Sequence, residues 1–332
     1  MRVAVNGFGR IGRLLMRAAL QDKDLDFVAV NDLTDAATLA HLFRFDSVHG
    51  PTEHAVEIDG DAIRCGDDRF RVLCEPDPQK LPWKKLGVDL VVESTGRFTS
   101  RDKAAVHLEA GAGRVIVTAP SKGADATLCM GVNHATFDPD EHRVVSNASC
   151  TTNCLAPVVK VLHDNWGLKR GFMTTIHAYT NDQRILDLPH KDLRRARAAA
   201  MNQIPTTTGA ARAISLVIPE LEGRLDGIAV RVPVPDGSLV DLVAELDKPA
   251  TKPAMDTAFR EAAEGPLAGI LQFSEDPLVS TDIIHNPHSS IYDSGMSSVL
   301  DGNLVKVLAW YDNEWGFANR VLDLIRYIRS MS

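Results

Sequence analysis

The chain has no excess of positive charge: 36 Lys and Arg stand against 44 Asp and Glu, a net charge of -8. That balance argues against a broad nucleic-acid or anionic-membrane surface, so any anionic ligand has to be drawn by a local cluster of donors. Paired cysteines are also missing. Cys65, Cys74, Cys129, Cys150 and Cys154 are odd in number and none sits in a Cys-x-x-Cys unit, which leads us to expect a reducing, cytoplasmic setting without structural disulfides. No apolar run is long enough to span a bilayer, and the N-terminus enters strand-like sequence without a charged leader or cleavable apolar stretch. No His/Cys/Asp group has metal-ligand spacing, and no metal is expected. What is present is an ordinary globular composition: 332 residues, 45% hydrophobic and 24% charged, long enough for two domains with substantial cores.

The N-terminal half reads as a dinucleotide site. A buried strand, Arg2-Val3-Ala4-Val5-Asn6, runs directly into Gly7-Phe8-Gly9-Arg10-Ile11-Gly12 and a helix from Arg13 to Leu20. Gly7 permits a tight turn, Gly9 lets backbone approach a pyrophosphate, and Gly12 lets helix and strand pack closely, with Arg10 and Ile11 in the same loop. A second strand, Phe27 to Asn31, ends at Asp32, at the distance expected of a carboxylate that binds a ribose diol. The same carboxylate repels the extra phosphate of NADP, so NAD is the expected cofactor; without the glycines, Asp32 would read as a turn cap. Strands over 89–96 and 114–120, with a helix over 101–110 between them, extend a doubly wound sheet. Residues 57–74 suggest an antiparallel excursion, and Gly96 and Thr118 are expected near the cofactor.

A second region of interest begins at Ser146 and runs to Cys154. Leu155, Val158, Val159, Val161 and Leu162 recur at helical spacing, with Ser149 or Asn147 available as cap, so Cys150 is expected in the first helical turn. There the helix dipole favours a thiolate; a shift from about 8.5 to roughly 6 would raise the thiolate fraction at pH 7 from about 3% to about 90%. The other reading of Cys150 is a small buried hydrophobe. His177, in the strand-like run Phe172 to Thr180, reads either as a structural hydrogen-bonder or as an acid–base group. The polar stretch 181–200 reads as a solvated segment or a nucleic-acid arm, and Thr206 to Arg212 as the threonine-rich start of a helix. Arg231, in an apolar strand over 226–235, requires an anionic partner, either a carboxylate or a bound phosphate. Strands over 239–246 and 304–311 complete a second, largely antiparallel sheet before a helix from Ala318 to Arg329.

Ser149-Cys150-Thr151-Thr152-Asn153-Cys154 resembles the active-site signature of phosphorylating glyceraldehyde-3-phosphate dehydrogenases, and the likeness extends from end to end. His177-Ala178-Tyr179-Thr180-Asn181-Asp182 is similar to that family's catalytic-histidine segment, with Ala178 where serine is usual. The resemblance implies Cys150 as nucleophile and His177 as its acid–base partner. It places Thr180 and Arg231 on the substrate phosphate, and Ser149, Thr151, Thr208 and Gly209 on inorganic phosphate, with Arg195 supporting both. Asn313 would bind the nicotinamide carboxamide and select the ring face. The implied fold is a Rossmann-type doubly wound parallel sheet, residues 1–149 with 315–332, plus an α+β catalytic domain over 150–314. The implied reaction converts glyceraldehyde 3-phosphate, inorganic phosphate and NAD to 1,3-bisphosphoglycerate through a thiohemiacetal and a thioester, in glycolysis or gluconeogenesis, by a homotetramer. Pro76 departs from an arginine that lies against adenine in many members, which implies weaker or rearranged adenine binding. Erythrose-4-phosphate dehydrogenase is the nearest rival, but that branch departs at the segments equivalent to Tyr179-Thr180 and Thr206-Thr207-Thr208-Gly209, both intact here. A nucleotide-binding redox sensor is the rival from another class.

Overall fold

The computed structural model describes residues 1–20 and 22–331. They form two compact units: Met1–Leu128, His134–Ala148 and the chain from Ala318 onward make unit 1, while Cys129–Asn133 and Ser149–Phe317 make unit 2. The boundaries drawn from sequence differ from these at 129–133, 149 and 315–317.

Unit 1 contains β1 (Arg2–Asn6), α1 (Arg10–Ala18), β2 (Asp26–Asn31), α2 (Ala36–Arg44), β3 (Val56–Asp59), β4 (Ala62–Cys65), β5 (Asp68–Leu73), α3 (Trp83–Leu86), β6 (Leu90–Glu93), α4 (Arg101–Ala104), α5 (Val106–Glu109), β7 (Arg114–Val117), β8 (Ala126–Thr127) and β9 (Val144–Ser146). The strands order as β3-β4-β5-β2-β1-β6-β7-β9-β8. From β5 to β8 all neighbours are parallel, and β3 and β4 add the antiparallel excursion. Val3, Ala4 and Val5 on β1 and Leu90, Val91 and Val92 on β6 are all fully buried, the continuous apolar signature of strands covered on both faces. The helix expected over 101–110 divides into α4 and α5 at Ala105, where ψ of -17° tightens the turn.

Unit 2 contains α6 (Cys150–Trp166), β10 (Leu168–Ala178), β11 (Ile204–Thr207), β12 (Leu225–Val232), β13 (Ser238–Leu246), α7 (Lys252–Glu264), β14 (Leu271–Ser274), β15 (Ser290–Leu300) and β16 (Leu304–Tyr311). The final helix, α8 (Trp315–Ser330), passes into unit 1 at Ala318. The sheet orders as β11-β12-β10-β13-β16-β15-β14; only β10–β12 and β14–β15 are parallel. α6 packs on β10, β13, β15 and β16. It runs unbroken through Pro157, although an internal proline costs about 3 kcal/mol. Leu155, Ala156, Val158, Val159, Val161 and Leu162 are all buried around it, and at about 1.5–3 kcal/mol for each large apolar side chain their burial outweighs that cost. Among the described residues no helix is long and apolar enough to cross a membrane.

Candidate active site

In unit 1 the glycine loop is set by close packing. Gly7 has φ +95°, and a Cβ there would lie 2.6 Å from the Thr95 amide nitrogen; a Cβ at Gly12 would lie 2.3 Å from the Gly7 carbonyl oxygen. Gly9 differs, because a Cβ there would meet nothing within 4 Å. It also starts α1 without a side-chain cap, and a close backbone approach at a helix start suits a pyrophosphate. Asp32 is pinned at the end of β2: its Oδ2 accepts from Phe8 N–H at 2.8 Å and its Oδ1 from Leu33 N–H at 2.7 Å. Asn6, Gly7, Gly9, Asp32, Leu33, Pro76, Ser94, Thr95, Arg97 and Phe98 line one cleft. Pro76 sits in the wall of this cleft with no charge or donor to offer.

The other expected cofactor residues of this unit do not line that cleft. Arg10 is bound to Asp46. Burial would raise the Asp46 carboxyl, but the His49 amide, Arg10 and the Val48 amide together hold it at about 2. Ile11 is half-buried, and Thr118 donates from both N–H (3.0 Å) and Oγ1 (3.2 Å) to the Glu93 carbonyl, tying β7 to β6. Beneath the cleft lies a buried chain that the sequence did not reveal. Asn31 Nδ2 donates to Asn6 Oδ1 at 2.8 Å, Asn6 Nδ2 to Glu93 Oε2 at 2.6 Å, and Trp83 Nε1 to His107 Nδ1 at 3.1 Å. Because His107 Nδ1 accepts, its Nε2 carries the proton and donates to Glu93 Oε2 at 3.0 Å. Polar residues closing three apolar strands were the available signal.

In unit 2 the Ser149 hydroxyl caps α6, accepting from Thr152 N–H at 3.1 Å, and Cys150 is the first helical residue. Its Sγ lies 3.5 Å from His177 Nε2. His177 and Arg231 are register partners in the parallel β10–β12 ladder, which sets the two side chains together. His177 Nδ1–H donates to Ala178 O at 2.7 Å, so the Nε2 lone pair faces the thiol. Arg231 Nη1 donates to the same carbonyl at 3.0 Å and to Thr180 Oγ1 at 3.4 Å, and lies 3.0 Å from Nδ1. Burial first, and Arg231 second, push the imidazole down to about 3, so it rests neutral as a base. The expected lowering of the thiol is corrected here: burial raises Cys150, outweighing Arg231 and the Thr151 hydroxyl and amide. A thiolate therefore depends on His177 taking the proton. Cys154, one turn on and fully buried, has its Sγ 3.6 Å from Ser290 Oγ, and burial pushes it far up.

Arg231 has no carboxylate partner among the described residues, and its buried Nε has no hydrogen-bond partner at all. That removes the structural alternative left open by the sequence. Arg195 is held by Asp182, and also donates to Thr206 Oγ1 at 2.9 Å and Thr207 O at 3.1 Å. Thr206 and Thr207 lie on β11, and the expected helix after them is one 3-10 segment, Arg212–Leu216. The Thr208 hydroxyl accepts from Ala210 N–H at 3.2 Å, and Gly209 is exposed. No hydrogen bond joins this turn to Ser149 or Thr151. Sequence reasoning also missed Tyr311, whose hydroxyl lies 2.8 Å from Thr151 Oγ1 and 2.9 Å from Thr175 Oγ1. Its ring stands edge-on to His177 at 5.8 Å. A tyrosine closing an apolar strand, with a polar end that needs partners, was the signal. Asn313, just past β16, is buried, and its Oδ1 accepts from Ser238 Oγ at 2.6 Å.

Two family patterns match this chain. "Glyceraldehyde 3-phosphate dehydrogenase, NAD binding domain" covers residues 1–101, and "Glyceraldehyde 3-phosphate dehydrogenase, C-terminal domain" covers 149–313. The chain is 58% identical over 330 residues to the glyceraldehyde-3-phosphate dehydrogenase of Geobacillus stearothermophilus, covering 99% of this chain and 98% of that one. It is 58% identical over 328 residues to glyceraldehyde-3-phosphate dehydrogenase 1 of Bacillus subtilis, with the same coverage of each chain. Against the Streptomyces coelicolor glyceraldehyde-3-phosphate dehydrogenase it is 54% identical over 330 residues, again covering 99% and 98%.

Proposed function

The chain belongs to the glyceraldehyde-3-phosphate dehydrogenase family and is an NAD-dependent phosphorylating oxidoreductase of glycolysis, and from that premise we propose which of its own residues carry the chemistry. The contact of Cys150 with a neutral His177 carries the assignment. Cys150 Sγ attacks the aldehyde carbon of glyceraldehyde 3-phosphate as His177 Nε2 accepts the thiol proton. The resulting Nε2–H donates to the developing oxyanion and protonates it, giving a thiohemiacetal. Nε2 then takes the hydroxyl proton back as the carbon loses hydride. NAD, when bound, supplies the hydride acceptor; Gly7, Gly9, Gly12 and Asp32 would hold it in unit 1, with Arg10, Ile11 and Thr118 shaping the loop and strand ends, and Asn313 on its carboxamide. Inorganic phosphate attacks the Cys150 thioester, the C–S bond breaks, and 1,3-bisphosphoglycerate leaves as the thiol regains its proton from His177.

Arg231 and Thr180 hold the substrate phosphate, supported by a guanidinium without a carboxylate partner. Ser149, Thr151, Thr208 and Gly209 hold the attacking phosphate, and Arg195 steadies both through Thr206. A homotetramer belongs to the same proposal, supported by exposed Phe172 with its cross-strand neighbour Val243 and nearby Ile228; a monomeric mass by light scattering would refute it. Five unpaired cysteines support a cytoplasmic setting. The test is NADH formation from glyceraldehyde 3-phosphate with and without inorganic phosphate, with erythrose 4-phosphate and NADP in parallel. Phosphate-dependent steady turnover, strongest with glyceraldehyde 3-phosphate and NAD, is expected. A burst that stalls with phosphate present would refute the second anion site, and an absence of NADH would refute the mechanism.

A further inference from the structure

Ser238 is the first residue of β13, the strand that lies between β10 and β16. The β10–β13 ladder ends at Ile176↔Leu239. Beyond that pair the Ser238 side chain takes over. Its Oγ accepts from Ala178 N–H at 3.1 Å, directly after His177, and lies 2.6 Å from Asn313 Oδ1, two residues beyond the end of β16. Ser238 and Ala178 are fully buried and Asn313 is 5% exposed. A buried hydroxyl proton needs an acceptor, and leaving it unmade is costly. With Ala178 N–H occupying a lone pair, the hydroxyl donates to Asn313 Oδ1. That fixes which end of the amide is used internally: Oδ1 is taken, and Nδ2 donates to no described residue.

We infer that Ser238 is a positioning residue for the cofactor, locking the Asn313 amide so that its NH2, and not its carbonyl, is offered to the carbonyl of the nicotinamide carboxamide. This rests on the Asn313 role proposed above. Without the lock the amide can turn over and offer its oxygen to the carboxamide NH2. The ring is then accepted in either orientation, and hydride is delivered to both faces.

The experiment uses NAD carrying deuterium at C4 of the nicotinamide. The face of the NADH product that received hydride is read by NMR, alongside KM for NAD and for glyceraldehyde 3-phosphate. For Ser238→Ala we expect product labelled on both faces and a KM for NAD raised about tenfold, the worth of one oriented hydrogen bond. KM for glyceraldehyde 3-phosphate and the Cys150 alkylation rate should stay near parental. Single-face product with parental KM for NAD, accompanied only by a lower melting temperature, would reduce Ser238 to satisfying Ala178 N–H and overturn the inference. Asn313→Ala separates the two layers. If it leaves KM for NAD and facial purity unchanged, the Asn313 role falls and the inference with it; if it disturbs them while Ser238→Ala does not, only the inference falls. Should Ser238→Ala not fold, Ser238→Cys, with a weak donor in the same place, carries the same comparison.

Discussion

Replacing His177 by asparagine tests the electrostatics of the site most directly. Burial favours the neutral thiol on Cys150 and the neutral imidazole on His177. Their separation of 3.5 Å works the other way, since a thiolate and an imidazolium at that distance attract by about 5 kcal/mol at an effective dielectric constant of about 20. At about 1.4 kcal/mol per pKa unit, that is an upper bound of roughly three to four units of support for the thiolate. His177→Asn keeps a polar side chain but removes the proton acceptor, so the pH midpoint of Cys150 alkylation should rise by about 2–3 units and the rate at pH 7 should fall about 100-fold or more. Turnover should fall by about 100- to 10,000-fold, the usual worth of general acid–base help. Iodoacetamide inactivation followed from pH 5 to 10 reads the midpoint, with Cys150→Ser as the control for other thiols. A midpoint within half a unit of the parent would show that the imidazole does not take the thiol proton.

The same histidine shapes acid stability. Its folded value, about 3, lies below the unfolded value near 6.5, so the folded state binds fewer protons; the contribution is complete above pH 6.5 and is lost as pH falls towards 3, by up to about 4 kcal/mol. Urea midpoints across that range should fall less steeply in His177→Asn than in the parent, and parallel curves would contradict this. Gly12→Ala should cost about 3 kcal/mol or more, because its Cβ would meet the Gly7 carbonyl oxygen at 2.3 Å; a melting temperature within a degree of the parent would refute the packing argument. Arg231→Leu should lower kcat/KM for glyceraldehyde 3-phosphate about 10- to 100-fold, the worth of a charge-assisted hydrogen bond, and should leave unphosphorylated glyceraldehyde much less affected. An equal loss on both aldehydes would remove Arg231 from the phosphate site. Asp32→Ala should weaken NAD binding and relax the discrimination against NADP, and an unaltered preference measured by KM would exclude its contact with the ribose.

Local pattern carried the glycine loop, Asp32 and the Cys150 helix, because each depends on residues close together in the chain: Gly7 to Gly12, a strand end, a serine cap before an apolar stripe. The pairing of Cys150 with His177 was legible only through family resemblance, since it is the packing of α6 on the sheet that brings them together. Tyr311 and Ser238 escaped for the same reason. Their partners, Thr151, Thr175, Ala178 and Asn313, lie on other elements, and a single hydroxyl leaves no periodic trace. The thiol's direction was misread because the helix dipole is visible in sequence whereas burial is not. The threonines at 206–208 mimicked a helix cap because hydroxyl-rich runs suit strand edges equally well.

Unit 1 is completed by residues made long after the rest of it. Val321, Leu322, Leu324, Ile325 and Ile328 are all buried, Arg326 and Arg329 bind Asp22 and Asp24 at 2.8 Å, and Tyr327 stands edge-on to His134 at 4.9 Å. The earlier parts of the unit end at Ala148 and its last part begins at Ala318, so the 169 residues Ser149–Phe317 separate them. At about 5–20 residues per second the gap is roughly 10–30 s. Throughout that interval the nascent nucleotide-binding half waits with its seat for the last helix empty, while Ser149–Phe317, contiguous in the chain, can fold to completion. The vulnerable species during synthesis is therefore the half that starts first, and a chain stopped short of Ala318 should expose that apolar seat permanently and partition to holding chaperones or aggregates.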